Sequence, residues 1–281
     1  MASAPVIAAA CYDALSARIA EVVGFDALYL SGMGVEVSQL GAPDIGLVTM
    51  SELASHAARV VDAVQLPVVA DIDAGFGGSI NVYRTVRTME RAGIAGLQIE
   101  DQVQPKKCPI LPGRAVVSRE AALDRLKAAL DARRSSDLVI IARTDADVNS
   151  LQETLERCEM FREAGADVVM PMYGEFIKGL SPVEQMDFLR KMCARIRGPV
   201  MAQGSLPPPG FTADDLAAAG FRFVMFASSA VLTTVNSLAK LYRGIKESGV
   251  DDRRYKDGEF PMLLDVFKAL HLDRYNAIDG G

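Results

Sequence analysis

The sequence predicts an α/β protein, a single-domain (β/α)8 barrel, because eight short apolar runs alternate with longer segments of helical periodicity. Most of these runs are continuously apolar, as expected of parallel strands that are buried on both faces. A doubly wound open sheet is the alternative, and the absence of a GxGxxG motif after the first run weighs against it. Barrels of this length commonly form one domain, so residues 1–281 are predicted to form a single unit.

The strands and helices alternate along the chain. The predicted strands are Val6–Cys11, Ala27–Leu30, Pro67–Asp73, Gly96–Glu100, Leu138–Arg143, Asp167–Pro171, Pro199–Gln203 and Phe221–Ala227. The predicted helices are Ser51–Val64, Ile80–Ala92, Ser118–Arg134, Ser150–Ala164, Ser181–Ile196, Ala213–Ala219 and Ser229–Glu247. Ser150-Leu-Gln-Glu153 and Ser181-Pro-Val-Glu184 are typical of capping boxes, and Gly93, Gly165 and Gly220 stand where a helix stops.

The segment after Gly249 follows the eight predicted strands and their helices, so a (β/α)8 barrel does not account for it. Asp251–Arg254 is a charged break, and Phe260–His271 has the pattern of one more amphipathic helix. We therefore predict a C-terminal helical extension over about residues 250–281. Such a helix needs a surface to dock on, and another subunit could supply it.

The composition argues against several classes of protein. A net charge of −6 and a pI near 5.1 argue against nucleic acid and anionic membranes as partners. The four cysteines form no CxxC pair and only two histidines are present, so a zinc site is not expected. No apolar stretch reaches the roughly 18 residues of a membrane span, and the N-terminus lacks a signal-peptide pattern. These features predict a reduced, cytoplasmic protein.

Carboxylates at the ends of predicted strands are the strongest local signal. The active site of a (β/α)8 barrel lies at the C-terminal ends of its strands, where Asp71 and Asp73 precede a glycine-rich turn and Glu100 ends the next strand. Buried carboxylates so close together are costly unless they are paired or metal-bound. Ligands that are all oxygen indicate Mg²⁺, with Mn²⁺ as the second choice. The alternative is that one Asp caps the turn and the other pairs with an arginine.

Arg143 ends a fully apolar strand and is a candidate for binding a substrate carboxylate, because a guanidinium can hold a carboxylate through two hydrogen bonds. The alternative is an ion pair with Asp71, Asp73 or Asp145. Both interpretations can hold together.

Cys108 lies in a long connection of about residues 102–117, and long connections of this kind are often lids over active sites. The neighbouring Lys106 and Lys107 are expected to lower the pKa of its thiol, and a thiol on a closing lid can act as an acid or base. A loop cysteine can also be incidental. The other three cysteines lie in apolar patterns and are interpreted as core residues: Cys11, Cys158 and Cys193.

Seven stretches, in order along most of the chain, resemble the isocitrate lyase/phosphoenolpyruvate mutase superfamily, closest in pattern to the methylisocitrate lyase/2,3-dimethylmalate lyase branch. They are Tyr12-Asp-Ala-Leu-Ser-Ala-Arg18, Ser31-Gly32, Gly41-Ala-Pro-Asp44, Ala70-Asp-Ile-Asp-Ala-Gly-Phe-Gly77, Gln98-Ile-Glu-Asp-Gln-Val103, Pro105-Lys-Lys-Cys108 and Ile141-Ala-Arg-Thr-Asp-Ala146. Together they are highly specific for the superfamily, although no single stretch is.

The resemblance implies Mg²⁺-dependent chemistry on 2-oxo acids and a homotetramer that exchanges C-terminal helices. By motif, it also assigns roles to individual residues. The metal site would comprise Asp71 and Asp73, with Glu100 acting through water. The carboxylate of the oxo acid would be held by Ser31, Gly32, the amide of Met33, and Arg143. Asp44 would shape the site, Tyr12 would lie near the 2-oxo group, and the lid would supply Lys106 and Cys108 as catalytic groups.

The lid thiol and three departures from the family pattern define the expected reaction. Members that cleave C–C bonds usually carry Lys-Lys/Arg-Cys-Gly-His on the lid, and this chain keeps Lys106 to Cys108 but has Pro109-Ile110 next. Met172 stands where a Glu is usual, and Gln203 stands where an Asn is usual and would bind substrate. Glu175 could replace the missing Glu. These changes predict an intact oxo-acid half of the site and a less polar distal half.

The leading hypothesis is a Mg²⁺-dependent lyase that cleaves an alkyl-substituted 2-hydroxy di- or tricarboxylate into pyruvate or glyoxylate and a carboxylate. A hydrolase or decarboxylase of an oxaloacetate-type diacid would use the same metal site. A phosphonate mutase or hydrolase fits less well because Cys108 is present. The remaining alternative is a barrel that binds 2-oxo acids without turnover.

Overall fold

The strands of the chain form one closed sheet, β1 to β8 in sequence order, with β8 pairing back onto β1. The computed structural model describes residues 4–203, 207–251 and 254–279. The strands are β1 (Val6–Cys11), β2 (Ala27–Leu30), β3 (Val68–Asp71), β4 (Gly96–Glu100), β5 (Val139–Thr144), β6 (Val168–Pro171), β7 (Val200–Met201) and β8 (Phe221–Met225). All pairings are parallel, so the predicted (β/α)8 barrel is confirmed.

Four strands are shorter than the sequence predicted, and the smallest change is in β6, which begins at Val168 instead of Asp167. β3 ends at Asp71, because Asp73 adopts the left-handed region with φ of 48° and cannot continue a strand. β7 has only two residues, and its register against β8 shifts between Val200 and Met201. β8 ends at Met225 instead of Ala227. Apolar runs therefore located the strands, while the turns into the loops set their ends.

The helices surround the sheet and fill the connections. They are α1 (Ala14–Val23), α2 (Gly32–Leu40), α3 (Met50–Ala63), α4 (Ser79–Arg91), α5 (Arg119–Ala132), α6 (Leu151–Glu163), α7 (Gly174–Ile177), α8 (Pro182–Arg195), α9 (Ala213–Ala218), α10 (Ser229–Ser248), α11 (Leu263–Ala269) and α12 (Leu272–Asp279). The sequence prediction missed α1, α2 and α7. The capping box between Asp13 and Ser16 was an available signal for α1, whereas α2 begins with two glycines in three residues.

Helix termini follow the predicted signals with one correction. Ser181 and Glu184 form the predicted capping box, and Gly93, Gly165 and Gly220 all have the positive φ of a helix stop. The box predicted at Ser150 is only half formed. Its hydroxyl caps the Glu153 amide, but the Glu153 carboxylate binds Arg119 and Arg157 instead of turning back.

The C-terminal extension contains two helices, where one was predicted over Phe260–His271. The break lies at His271, whose φ of 64° ends the first helix before α12 begins. His271 Nε2 lies 2.7 Å from Arg18 Nη1, which brings the extension against α1. Within the described residues, no helix is long and apolar enough to cross a membrane.

Two buried layers position the site. The larger one lies between the sheet and the helices. The smaller one comes from strand residues and includes Tyr29, Met170, Met172 and Met225, all nearly inaccessible to solvent. Packing of this kind fills a (β/α)8 barrel, so the space for a ligand lies above it, at the C-terminal ends of the strands.

Candidate active site

A cavity of about 210 Å³ opens at the C-terminal ends of the strands. Its lining is Tyr29, Ser31, Met33, Asp44, Asp71, Cys108, Pro109, Ile110, Arg143, Met170, Met172, Gln203, Met225, Ala227 and Ser228. Seven of the predicted site residues therefore face one space: Ser31, Met33, Asp44, Asp71, Cys108, Arg143 and Gln203. The other five lie outside the lining: Tyr12, Gly32, Asp73, Glu100 and Lys106.

Asp71 is the predicted metal residue that faces the cavity. Its Oδ1 accepts hydrogen bonds from the Asp73 amide at 3.0 Å and from Gln98 Nε2 at 3.2 Å. Tyr29 in turn donates to Gln98 Oε1 at 2.5 Å, which fixes the amide. The pKa of Asp71 is raised to about 6, first by burial and then by the charge of Asp73.

Lys106 lies between two aspartates. Its Nζ is 2.9 Å from Asp73 Oδ1 and forms a second ion pair with Asp44. Burial opposes the charge of Lys106, but Asp73 and Asp44 outweigh it and raise the pKa of the ammonium. Lys106 therefore stays protonated and acts as a counter-ion to the carboxylates.

Arg143 is shared between two carboxylates. Its Nη1 lies 3.2 Å from Glu100 Oε2, while Nε and Nη2 donate to Asp145 at 2.8 and 2.9 Å. The ion pair with Asp145 that the sequence left open is thus present, and Arg143 lines the cavity as well. The ion-pair interpretation is therefore confirmed, whereas the binding of a substrate carboxylate by Arg143 stays a prediction.

The carboxylates fit a divalent cation. Glu100 Oε1 is buried and has no hydrogen-bond partner, and burial raises the pKa of Glu100 well above its ordinary value. Added positive charge would relieve both the orphaned oxygen and the repulsion between Asp71 and Asp73. Among the described residues, no three His, Cys, Asp or Glu side chains converge as a complete ligand set. Mg²⁺ commonly uses one or two carboxylates and keeps several waters, so this arrangement suits it.

The lid, residues 102–117, places Cys108 against the cavity. The Cys108 amide donates to the Asp44 carbonyl at 3.1 Å. Burial raises the pKa of the thiol, and the negative charge of Asp44 adds to the effect. The expectation of a lowered pKa was wrong: burial and Asp44 outweigh the charge of Lys106, which does lower the pKa, while the Lys107 ammonium donates to the Pro112 carbonyl.

The loop after β2 forms another wall. Ser31 caps α2 by accepting a hydrogen bond from the Gly34 amide at 3.2 Å. A Cβ at Gly32 would lie 3.1 Å from Asp71 Oδ2, so a glycine allows this close approach. Tyr12 is directed elsewhere, since its hydroxyl lies 2.7 Å from Thr234 Oγ1 on α10.

The three departures from the family pattern also meet at the cavity. Ile110 and Met172 line it, although Ile110 is 89% exposed and Met172 is buried. Gln203 Oε1 accepts from the amides of Tyr173 and Gly174 at 2.7 and 3.0 Å, which fixes the start of α7. Glu175 does not line the cavity and instead borders a cleft beside the lid.

Comparison with known proteins identifies the family. The pattern of the phosphoenolpyruvate phosphomutase family matches residues 1–246. The chain belongs to this family. It is 37% identical to 2,3-dimethylmalate lyase of Eubacterium barkeri, over 95% of this chain and 92% of that protein. It is 39% identical to 2-methylisocitrate lyase of Aeropyrum pernix, over 92% of this chain and 82% of that protein. The predicted resemblance is therefore confirmed.

Solved structures of the family agree with the fold. Oxaloacetate acetylhydrolase bound to 3,3-difluorooxalacetate superposes with a TM-score of 0.87 and 31% identity, covering 99% of this chain and 92% of that one. Phosphonopyruvate hydrolase bound to oxalate and Mg²⁺ gives a TM-score of 0.83 and 26% identity, covering 98% and 93%. An acetylhydrolase, a phosphonopyruvate hydrolase and a 2,3-dimethylmalate lyase thus share this barrel.

Sequence reasoning missed part of this family site. The interior strand residues Tyr29, Met170 and Met225 line the cavity, and the alternation of side chains along a barrel strand could have indicated them. It also missed Arg114 of the lid, which binds Asp145. No local pattern marks that arginine, because its partner is 31 positions away.

Proposed function

We propose that this protein is a Mg²⁺-dependent carbon–carbon lyase, which cleaves an alkyl-substituted 2-hydroxy carboxylate into a 2-oxo acid, pyruvate or glyoxylate, and a second carboxylate. One observation carries the proposal. The lid thiol of Cys108 faces the same cavity as Arg143 and Asp71. One small cavity is therefore lined by a cation (Arg143), a carboxylate that could bind a metal (Asp71) and a proton donor (Cys108).

The oxo-acid half of the substrate would lie between β2, β3 and β5. Arg143 would hold its carboxylate by charge-assisted hydrogen bonds, and Ser31 with the Met33 amide would bind the same group. Asp71 and Asp73, with Glu100 through water, would hold Mg²⁺ or, as the second choice, Mn²⁺. The metal would supply positive charge that stabilises the negative charge on the 2-oxygen once its proton is lost.

The reaction balances as a cleavage between C2 and C3. The 2-hydroxyl loses its proton to a base, the C2–C3 bond breaks to form the 2-oxo group, and the bonding electrons remain on C3 of the departing carboxylate. Cys108 then gives its proton to C3, and solvent restores the thiol. Burial raises the pKa of the Cys108 thiol, so Cys108 carries the proton that this step requires at neutral pH.

The distal half of the cavity suits an alkyl-bearing departing group. Met170, Met172 and Met225 form its buried wall, and Arg143 is the lone cation in the lining of the described residues. Methionine packs well against apolar groups of varied shape. This supports an alkyl-substituted dicarboxylate over a tricarboxylate, which would place one more charge against the apolar wall.

Replacing the thiol tests the function. We expect Cys108→Ser to lower kcat by about a hundredfold or more, with little change in KM, because proton donation and not binding is lost. Lys107→Met is the matched control on the same lid, since the Lys107 ammonium donates to Pro112 and does not line the cavity. Steady-state kinetics with 2,3-dialkylmalates measure both, and an unchanged kcat in Cys108→Ser would refute the acid role.

An oxaloacetate hydrolase is the second candidate, favoured by the structural match to oxaloacetate acetylhydrolase. Product analysis separates the two, because a hydrolase releases oxalate and acetate from oxaloacetate whereas a lyase releases a 2-oxo acid from its substrate.

The assembly we propose is a cytoplasmic homotetramer that exchanges C-terminal helices. It is supported by large apolar side chains that recur every three or four residues on α10 and are 40–62% exposed: Leu232, Val235, Leu238 and Tyr242. Exposed apolar patches of this kind mark protein interfaces. Sedimentation of the full chain measures the assembly, and a monomer at micromolar concentration would contradict it.

A further inference from the structure

The lid is attached to the barrel at a buried carboxylate that also holds Arg143. Asp145 is fully buried. Its Oδ1 accepts from Gln102 Nε2 at 3.2 Å, Arg114 Nη1 at 2.7 Å and Arg143 Nη2 at 2.9 Å. Gln102 and Arg114 belong to the two ends of the lid, whereas Arg143 lines the cavity. One carboxylate therefore contacts both the loop that carries the thiol and the cation of the ligand site.

Arg114 makes two of the buried ion pairs that hold the lid. Besides Asp145 it binds Asp147 through Nη1 at 2.8 Å and Nη2 at 3.2 Å, and its side chain is only 4% exposed. Buried, charge-assisted hydrogen bonds of this kind are strong and directional. Arg114 does not line the cavity, so it touches no ligand there.

Gln102 extends the same network toward the thiol. Its Oε1 accepts from the Lys107 amide at 2.9 Å, and its Nε2 donates to the Lys107 carbonyl at 3.1 Å as well as to Asp145. Lys107 immediately precedes Cys108. The peptide beside the thiol is thus held by the same side chain that reaches Asp145.

We propose that Arg114 is a positioning residue, which links the seating of Cys108 on the cavity to the orientation of Arg143 through Asp145. With Arg114 in place, Asp145 divides its charge between two guanidinium groups. Without Arg114, Asp145 presents its full charge to Arg143 and competes with an anion in the cavity for it. The inference rests on the proposed function only in taking Cys108 and Arg143 to act on one ligand.

Two measurements on Arg114→Met test the link without turnover. The first is the rate at which iodoacetamide alkylates Cys108, followed by mass spectrometry; the other three cysteines are buried. The second is calorimetric binding of oxalate with Mg²⁺, since oxalate is a small dicarboxylate suited to Arg143 and a metal. We expect alkylation about tenfold faster and oxalate binding about tenfold weaker, within the usual range of energetic links between sites.

Two further variants complete the experiment. Arg114→Lys keeps the charge without the guanidinium fork and should restore part of both effects. Arg119→Met is the matched control, because Arg119 also binds two carboxylates, Glu153 and Glu156, but its side chain is 41% exposed on the outer surface. It should change neither measurement.

Specific outcomes would overturn the link. If alkylation of Cys108 is faster but oxalate affinity is unchanged, Arg114 holds the lid but does not affect Arg143. If neither measurement changes, Arg114 is not a positioning residue. If Arg114→Met fails to fold, as judged by circular dichroism, Arg114→Lys decides by the same two criteria. An unchanged kcat in Cys108→Ser would contradict the lyase proposal. That result is independent of the alkylation and oxalate-binding measurements on the Arg114 variants.

Discussion

The two halves of the cavity are built by opposite means. In the half formed by β3 and β5, Asp71 accepts two hydrogen bonds and Arg143 bonds two carboxylates, so each charged group has a fixed direction. In the other half, Met170 and Met172 of the β6 end form a buried apolar wall. The first half is therefore suited to binding charged groups in one orientation, whereas the methionines of the second half can pack against apolar groups of different shapes.

Replacing Asp71, the carboxylate of the charged half, is expected to lower catalytic activity the most. We expect Asp71→Asn to lower kcat/KM on the order of a thousandfold, because the metal loses a carboxylate worth several kcal/mol. The same variant should keep or raise the Tm of the metal-free protein, since it removes a buried charge beside Asp73. Kinetics and thermal unfolding in EDTA measure the two effects. A loss of both activity and stability would show that Asp71 serves mainly to hold the fold.

A charge placed in the apolar half should change the choice of substrate. Met172→Glu should shift the kcat/KM ratio away from 2,3-dialkylmalates and toward less substituted substrates by about tenfold to a hundredfold, because an alkyl group would face a carboxylate. Met172→Leu, which conserves volume, should keep the wild-type preference. Competition between paired substrates measures the ratio. If both variants keep the wild-type ratio of kcat/KM values for the paired substrates, this wall does not contact the substrate.

The smallest effect concerns the thiol that lies between the two halves. Because burial raises the pKa of Cys108, the protonated form should persist to a higher pH than in an ordinary thiol near 8.5. The rate of alkylation of Cys108 should therefore rise with pH only above that value. A pH profile measured with iodoacetamide, with glutathione as the reference thiol, gives the midpoint. If the midpoint of the pH profile of Cys108 lies below that of glutathione, the pKa of the thiol is lowered, as expected if the lysines activate it.

The barrel and the position of its polar residues follow from local patterns in the amino-acid sequence. Buried parallel strands require continuous apolar runs, so the runs gave eight strands in the correct order. The carboxyl ends of parallel strands meet at one face, which located Asp71 and Arg143 beside the same cavity. These features depend on local pattern alone, and they can be read without knowing any long-range contact.

The pairing of the buried charges, by contrast, depends on the folded chain. Lys106 pairs with Asp44, 62 positions away, instead of activating its neighbour Cys108. Arg143 is divided between Glu100 and Asp145, and Arg114 of the lid reaches Asp145 as well. The sequence left three carboxylates open as partners of Arg143, and it indicated no partner for Lys106 or Arg114. Burial and distance choose among them, and both are set when the barrel closes and the lid folds over it.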